Sequence, residues 1–126
     1  MKILAGLIAG IVAILHTWFM IAEMFFWNHP IGYRMFGTTE DFASQTAFMA
    51  SNQGLYNGFI VAGLVWGRFA GRRDVLWFFL ICVIVAGVWG AMTVSPTIFY
   101  VQAVPAIIAL FFSVLASRSA KVTSSE

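Results

Sequence analysis

The heptapeptide Asn52-Gln53-Gly54-Leu55-Tyr56-Asn57-Gly58 places three side-chain amides and a phenol within seven residues. Whether it is loop or membrane-crossing helix decides the fold. The apolar run that follows, residues 59–67, is too short alone, because a bilayer core of roughly 30 Å takes about 20 residues of helix. Extended back to Phe48, the segment reaches spanning length but takes in Ser51, Asn52, Gln53, Tyr56 and Asn57. Polar groups in hydrocarbon are costly unless they find partners.

The basic residues argue for the longer segment. Three other stretches, residues 3–27, 75–93 and 98–116, are apolar and long enough to span. If residues 48–67 also span, then Lys2, Arg68, Arg72, Arg73, Arg118 and Lys121 all fall on one side and Arg34 alone on the other. That is a positive-inside pattern with both termini cytoplasmic. Without the second span the same charges scatter over both faces. The expected fold is therefore an all-α polytopic membrane protein, a four-transmembrane-helix bundle forming one domain over residues 1–126.

Composition agrees. Of the 126 residues 61% are hydrophobic and 10% charged, whereas soluble domains carry about a quarter charged residues. Aromatics at 17% suit a chain with two lipid–water interfaces to anchor. The net charge of +2 is small and scattered, which argues against a nucleic-acid partner. A single cysteine, Cys82, excludes an internal disulfide. Lys2 and the apolar run behind it imitate a secretory signal. The run continues to Trp27, however, and His16-Thr17-Trp18 stands where a small-residue cleavage site would close it, so a first span is expected.

The connections are short. Residues 28–41 form the outer loop, with Trp27, Tyr33 and Phe36 as interface anchors. Thr38 or Thr39 is placed to cap the next helix, and Glu40 and Asp41 suit the positive end of its dipole. Gly71-Arg72-Arg73-Asp74 makes the inner turn, Ser95-Pro96 the second outer turn, and the polar tail 117–126 is expected to fray into disorder. Gly6 and Gly10, Gly54 and Gly58, and Gly63 and Gly67 are pairs four apart that let helix backbones approach; Gly87 and Gly90 serve similarly.

The polar side chains are unevenly distributed in depth. Counting at 1.5 Å per residue from the outer edges puts His16 about 16 Å deep, Asn57 about 14 Å, Gln53 about 8 Å, Gln102 about 7 Å and Glu23 about 6 Å. The inner half holds only Ser113, Cys82 and the indoles of Trp66 and Trp77. This asymmetry predicts a polar pocket near the outer side and argues against a polar path across the bilayer. His16 and Glu23, seven apart, share a face; Gln53 and Asn57 share another, beside a stripe of Asn52 and Tyr56. Pro105 cannot donate to the Val101 carbonyl, so a kink is expected just below Gln102.

His16 and Glu23 with Met24-Phe25-Phe26-Trp27, the Asn52–Phe59 stretch, Val83-Ile84-Val85-Ala86-Gly87 and Gln102-Ala103-Val104-Pro105-Ala106 together resemble a family of small bacterial integral membrane proteins. It is catalogued only as domain of unknown function family 1304. The second-span motif is the distinctive one, and the resemblance runs from the first span to the end of the fourth. It implies a four-helix protein of the bacterial cytoplasmic (inner) membrane and no established activity.

The chemistry must then come from the residues. His16 and Glu23 are the catalytic candidates, as an acid–base pair for proton transfer or isomerisation. The plainer readings are a neutral histidine that fixes helix packing, and a glutamate that reaches headgroup water or pairs with Arg34. Asn52, Gln53, Tyr56, Asn57 and Gln102 are the ligand-binding candidates, as amides for the polar head of a small lipophilic or amphiphilic molecule; plainly read, they are interhelical packing contacts. His16, Glu23 and His29 match no established metal-ligand spacing, and amide-rich surroundings suit a transition metal poorly, so neither metal, haem nor other cofactor is expected. Two further functions fit the composition. One is an accessory subunit of a larger membrane complex. The other is a proton-coupled exporter like the small four-helix multidrug transporters, which the one-way charge bias and apolar inner half oppose.

Overall fold

In the computed structural model, the backbone of residues 2–123 and the side chains of residues 3–118 are described. The described chain is all-helical: α1 (Lys2–Phe25), α2 (Pro30–Met35), α3 (Glu40–Phe69), α4 (Arg73–Thr93), a π-helical turn (Phe99–Ala103) and α5 (Val104–Thr123). Three of these stretches, Ile3–Phe25, Arg73–Thr93 and Phe99–Arg118, are long and apolar enough to cross a membrane. Helix α3 is not among them. Its 30 residues extend about 45 Å, but Glu40, Asp41, Gln45, Asn52, Gln53 and Asn57 make its first two-thirds too polar to qualify on composition.

Large apolar side chains stand exposed on every long helix, including Ile14, Phe59, Phe78 and Phe111. A soluble chain rarely presents so much apolar surface. With three apolar helices of spanning length, this makes the chain a membrane-type protein.

Two compact units divide the fold, one of residues 14–62 and the other of residues 1–13 with 63–126. In the first unit, Thr39 caps α3 by accepting the Phe42 amide at 3.2 Å, the role expected of Thr38 or Thr39. Trp27 turns its indole inward and donates to Thr46 Oγ1 at 3.0 Å, while its ring lies 4.8 Å from that of Phe36. The expected loop 28–41 contains the short helix α2. Pro30 starts it, where a missing N–H costs nothing, and His29 Nδ1 accepts the Ile31 amide at 3.4 Å. Gly32 packs against the Phe26 carbonyl so closely that no side chain fits there.

In the second unit, Leu76, Leu80, Val83 and Gly87 form a buried stripe on α4. It faces the π turn and α5, where Ala103, Ala106 and Ala109 are fully buried. Small residues on one helix and branched ones on the other let the axes approach. Trp77 Nε1 donates to Ser113 Oγ at 2.9 Å, so the indole N–H is satisfied inside the apolar contact. Gly71 turns the chain between α3 and α4 at φ +67°, a left-handed conformation that favours glycine.

Two expectations meet a different outcome here. The disturbance predicted at Pro105 is a π turn upstream of it: the Val104 amide donates to the Phe99 carbonyl, five residues back. Proline lacks the donor that would continue regular α-helical bonding, and a widened turn accommodates that loss. The tail expected to fray from Ser117 instead continues as helix to Thr123, and residues 124–126 lie outside those described.

Candidate functional site

The site is built in the unit of residues 14–62, where α1 meets α3 at a glycine step. A Cβ at Gly54 would stand 2.6 Å from Met24 Cγ, 3.0 Å from the Met20 carbonyl oxygen and 3.2 Å from Glu23 Cβ. At Gly58 it would stand 3.0 Å from Met20 Sδ. At Gly54 the missing side chain lets α3 approach the α1 backbone, and at Gly58 it leaves room for the end of the Met20 side chain. One consequence is polar. Asn57 lies beside the glycine step, and its Nδ2 donates to Glu23 Oε2 at 2.7 Å. The same amide has a long second contact, 3.4 Å, to the Gln53 carbonyl.

Glu23 is half-buried in an otherwise apolar stretch of α1. Among the described residues, nothing donates to its second oxygen, and no buried side-chain nitrogen or oxygen lacks a partner. That oxygen consequently remains reachable. Arg34, the alternative partner for Glu23, is exposed and makes no ion pair among the described residues.

His16 is buried, at 3% exposure, and meets the Phe19 ring edge-on at 5.8 Å. It lies two turns from Glu23, about 10 Å along the helix axis. A proton moving between the two needs a bridging group at that spacing. His29, the remaining histidine, serves as the α2 cap. No three His, Cys, Asp or Glu side chains converge as metal ligands among the described residues.

The amides separate. Asn52 folds back onto its own helix, donating to the Phe48 carbonyl at 2.9 Å, and is exposed. Gln53 is exposed, and Tyr56, 60% exposed, meets Phe59 edge-on. Gln102 lies half-buried in the π turn of the other unit. Of the seven candidate residues, Glu23 and Asn57 are thus brought into direct contact. Met20 and Met24, neither of them among the seven candidates, form the wall against Gly54 and Gly58. Their signal was available: Met20 and Met24 are four apart and share one face of α1, beside Glu23.

The segment carrying these contacts falls within a match to the family described as Protein of unknown function (DUF1304), which covers residues 10–114. The chain belongs to this family. It is also 30% identical over 117 residues to the uncharacterized protein YpaA of Lactococcus lactis subsp. lactis (strain IL1403), a match covering 90% of this chain and 98% of that relative. No solved structure matches. The family match includes Glu23 on α1 and Asn57 on α3, both partners of the bond.

Proposed function

We propose that this member of the family crosses the bacterial cytoplasmic (inner) membrane four times, with both termini cytoplasmic, and holds a small lipophilic or amphiphilic molecule at Glu23 and Asn57. The charge pattern supports the topology, because counting α3 as a span collects six of seven basic residues on one side. The observation that carries the site is the 2.7 Å bond between Asn57 and a carboxylate whose other oxygen stays reachable. An intramembrane carboxylate marks function more often than packing. Asn57 fixes one oxygen, the second meets the polar head of the ligand, and neighbouring apolar side chains hold its body. Glu23 and His16 are the groups available for proton exchange with that head.

Purified wild type and Asn57→Leu, compared by native mass spectrometry with lipid extraction, test the site. Wild type should carry a small molecule that the variant lacks. Equal content in the two would count against this reading.

A second reading, an accessory subunit, draws on the exposed amides. Asn52 and Gln53 face away from the chain's own packing, and lipid is a poor environment for an amide. A partner helix would cover them. Extraction in mild detergent should then yield a stoichiometric partner, and a clean monomer would rule this out.

A further inference from the structure

A second candidate site lies in the unit of residues 1–13 and 63–126, and it depends on nothing proposed for Glu23 and Asn57. A cavity of about 390 Å³ is lined there by Gly6, Arg68, Gly71, Arg73, Ser113 and Ser117, among others. That volume suits a small-molecule site, which typically has roughly 300–1,000 Å³.

Among the described residues, no carboxylate compensates its charge. Arg72 is already neutralised by Asp74, through bonds of 3.0 and 2.7 Å from Nε and Nη2. Arg68 and Arg73 have no carboxylate partner among the described residues. The Arg68 guanidinium lies against Gly6, where an added Cβ would stand 2.8 Å from Nε and 3.0 Å from Nη2. Ser113 accepts the Trp77 indole proton, so its own hydroxyl proton remains to be donated. Two guanidinium groups and a hydroxyl donor at one cavity form a set suited to phosphate oxygens.

A second space of about 270 Å³ adjoins the first, sharing Ile3, Gly6 and Arg68 with it, and is lined further by Leu7, Gly10 and Leu64. At Gly10 an added Cβ would meet nothing within 4 Å. The sequence pairs Gly6 with Gly10 as a helix-packing step, but one carries a guanidinium and the other faces open space.

We infer that this double cavity binds a phosphate-headed amphiphile of the anionic glycerophospholipid class. The phosphate sits on Arg68 and Arg73, and one acyl chain lies along Gly10 and Leu64. The apolar extension distinguishes a lipid headgroup from free phosphate, which has no use for it.

The test is a native mass spectrometry titration of the full chain in neutral detergent, with folding of each variant checked by circular dichroism. Probes are phosphatidylglycerol, diacylglycerol with the same chains, and inorganic phosphate. Phosphatidylglycerol should bind about tenfold or more tightly than diacylglycerol, since each basic residue contributes measurably to anionic-lipid attraction. Arg68→Gln with Arg73→Gln should abolish that preference. Arg68→Lys with Arg73→Lys, which keeps the charge and loses the forked donors, should reduce it severalfold. Gly10→Leu should weaken phosphatidylglycerol binding and leave inorganic phosphate unaffected, whereas Arg118→Gln, outside the cavity, should change neither. Equal binding of phosphatidylglycerol and diacylglycerol would overturn the site. So would an equal loss in Arg118→Gln, which would indicate diffuse surface charge. Inorganic phosphate binding as tightly as phosphatidylglycerol, with Gly10→Leu silent on both, would overturn the lipid assignment.

Discussion

Replacing Gly87 with alanine should destabilise the protein by about 1–3 kcal/mol, the usual cost of overpacking a well-filled contact. The added Cβ would stand 2.7 Å from the Ala103 nitrogen, 2.9 Å from Ala103 Cβ and 3.1 Å from its Cα. None of those atoms can rotate away, because they belong to the backbone and first carbon of the π turn. Relief requires α4 to separate from that turn. The opposing contribution is the better helix propensity of alanine, at most about 1 kcal/mol. Gly10→Ala provides the control, since it gains the propensity and meets nothing within 4 Å. Unfolding in one detergent should place Gly87→Ala below wild type and Gly10→Ala at or above it. A Gly87→Ala variant as stable as wild type would mean that α4 and the π turn do not touch.

Asn57→Leu should also be strongly destabilising, and the sign of its repair is diagnostic. Leucine removes the donor to Glu23 Oε2 and leaves a carboxylate in apolar surroundings, at a cost of about 1–3 kcal/mol, or more if it stays charged. Glu23→Leu combined with Asn57→Leu removes both partners. The double variant should therefore be more stable than Asn57→Leu alone, with a coupling energy of about 1–3 kcal/mol in a double-mutant cycle. Simple additivity of the two substitutions would show that the bond contributes nothing. The same Asn57→Leu protein serves the ligand comparison, so stability and ligand content can be read from one preparation.

The parts of this structure legible in the sequence were those set by local rules. Helices α1, α4 and α5 follow from apolar length, and the Thr39 cap follows from hydroxyl chemistry before an acidic first turn. Gly54 and Gly58 were readable as a close-approach step, and α1 does use it. The facing of the amides was harder. At about 100° per residue, the glycine step and Asn57 lie near one another around α3, while Asn52 and Tyr56 fall roughly opposite the glycines. One helix face cannot present all four polar residues to a single neighbour. Once the glycines face α1, Asn57 is the amide left beside it. Helix α2 was hidden because six residues are too few to show periodicity, although Pro30 and its histidine cap marked the start. The basic cavity was hidden for another reason. Arg68 and Arg73 read as topology signals, and only the three-dimensional fold brings them together with Gly6 and Ser113.

Everything proposed for Glu23 and Asn57 depends on α3 crossing the bilayer despite its polarity. Cysteine accessibility measures this directly. In a Cys82→Ala background, Thr38→Cys, Ala70→Cys and Ser95→Cys are each exposed to a membrane-impermeant maleimide in intact cells and again after permeabilisation. Four crossings predict that positions 38 and 95 react from outside and that position 70 reacts only after permeabilisation. Labelling of positions 38 and 70 from the same side would contradict it, because the segment between them would then not span.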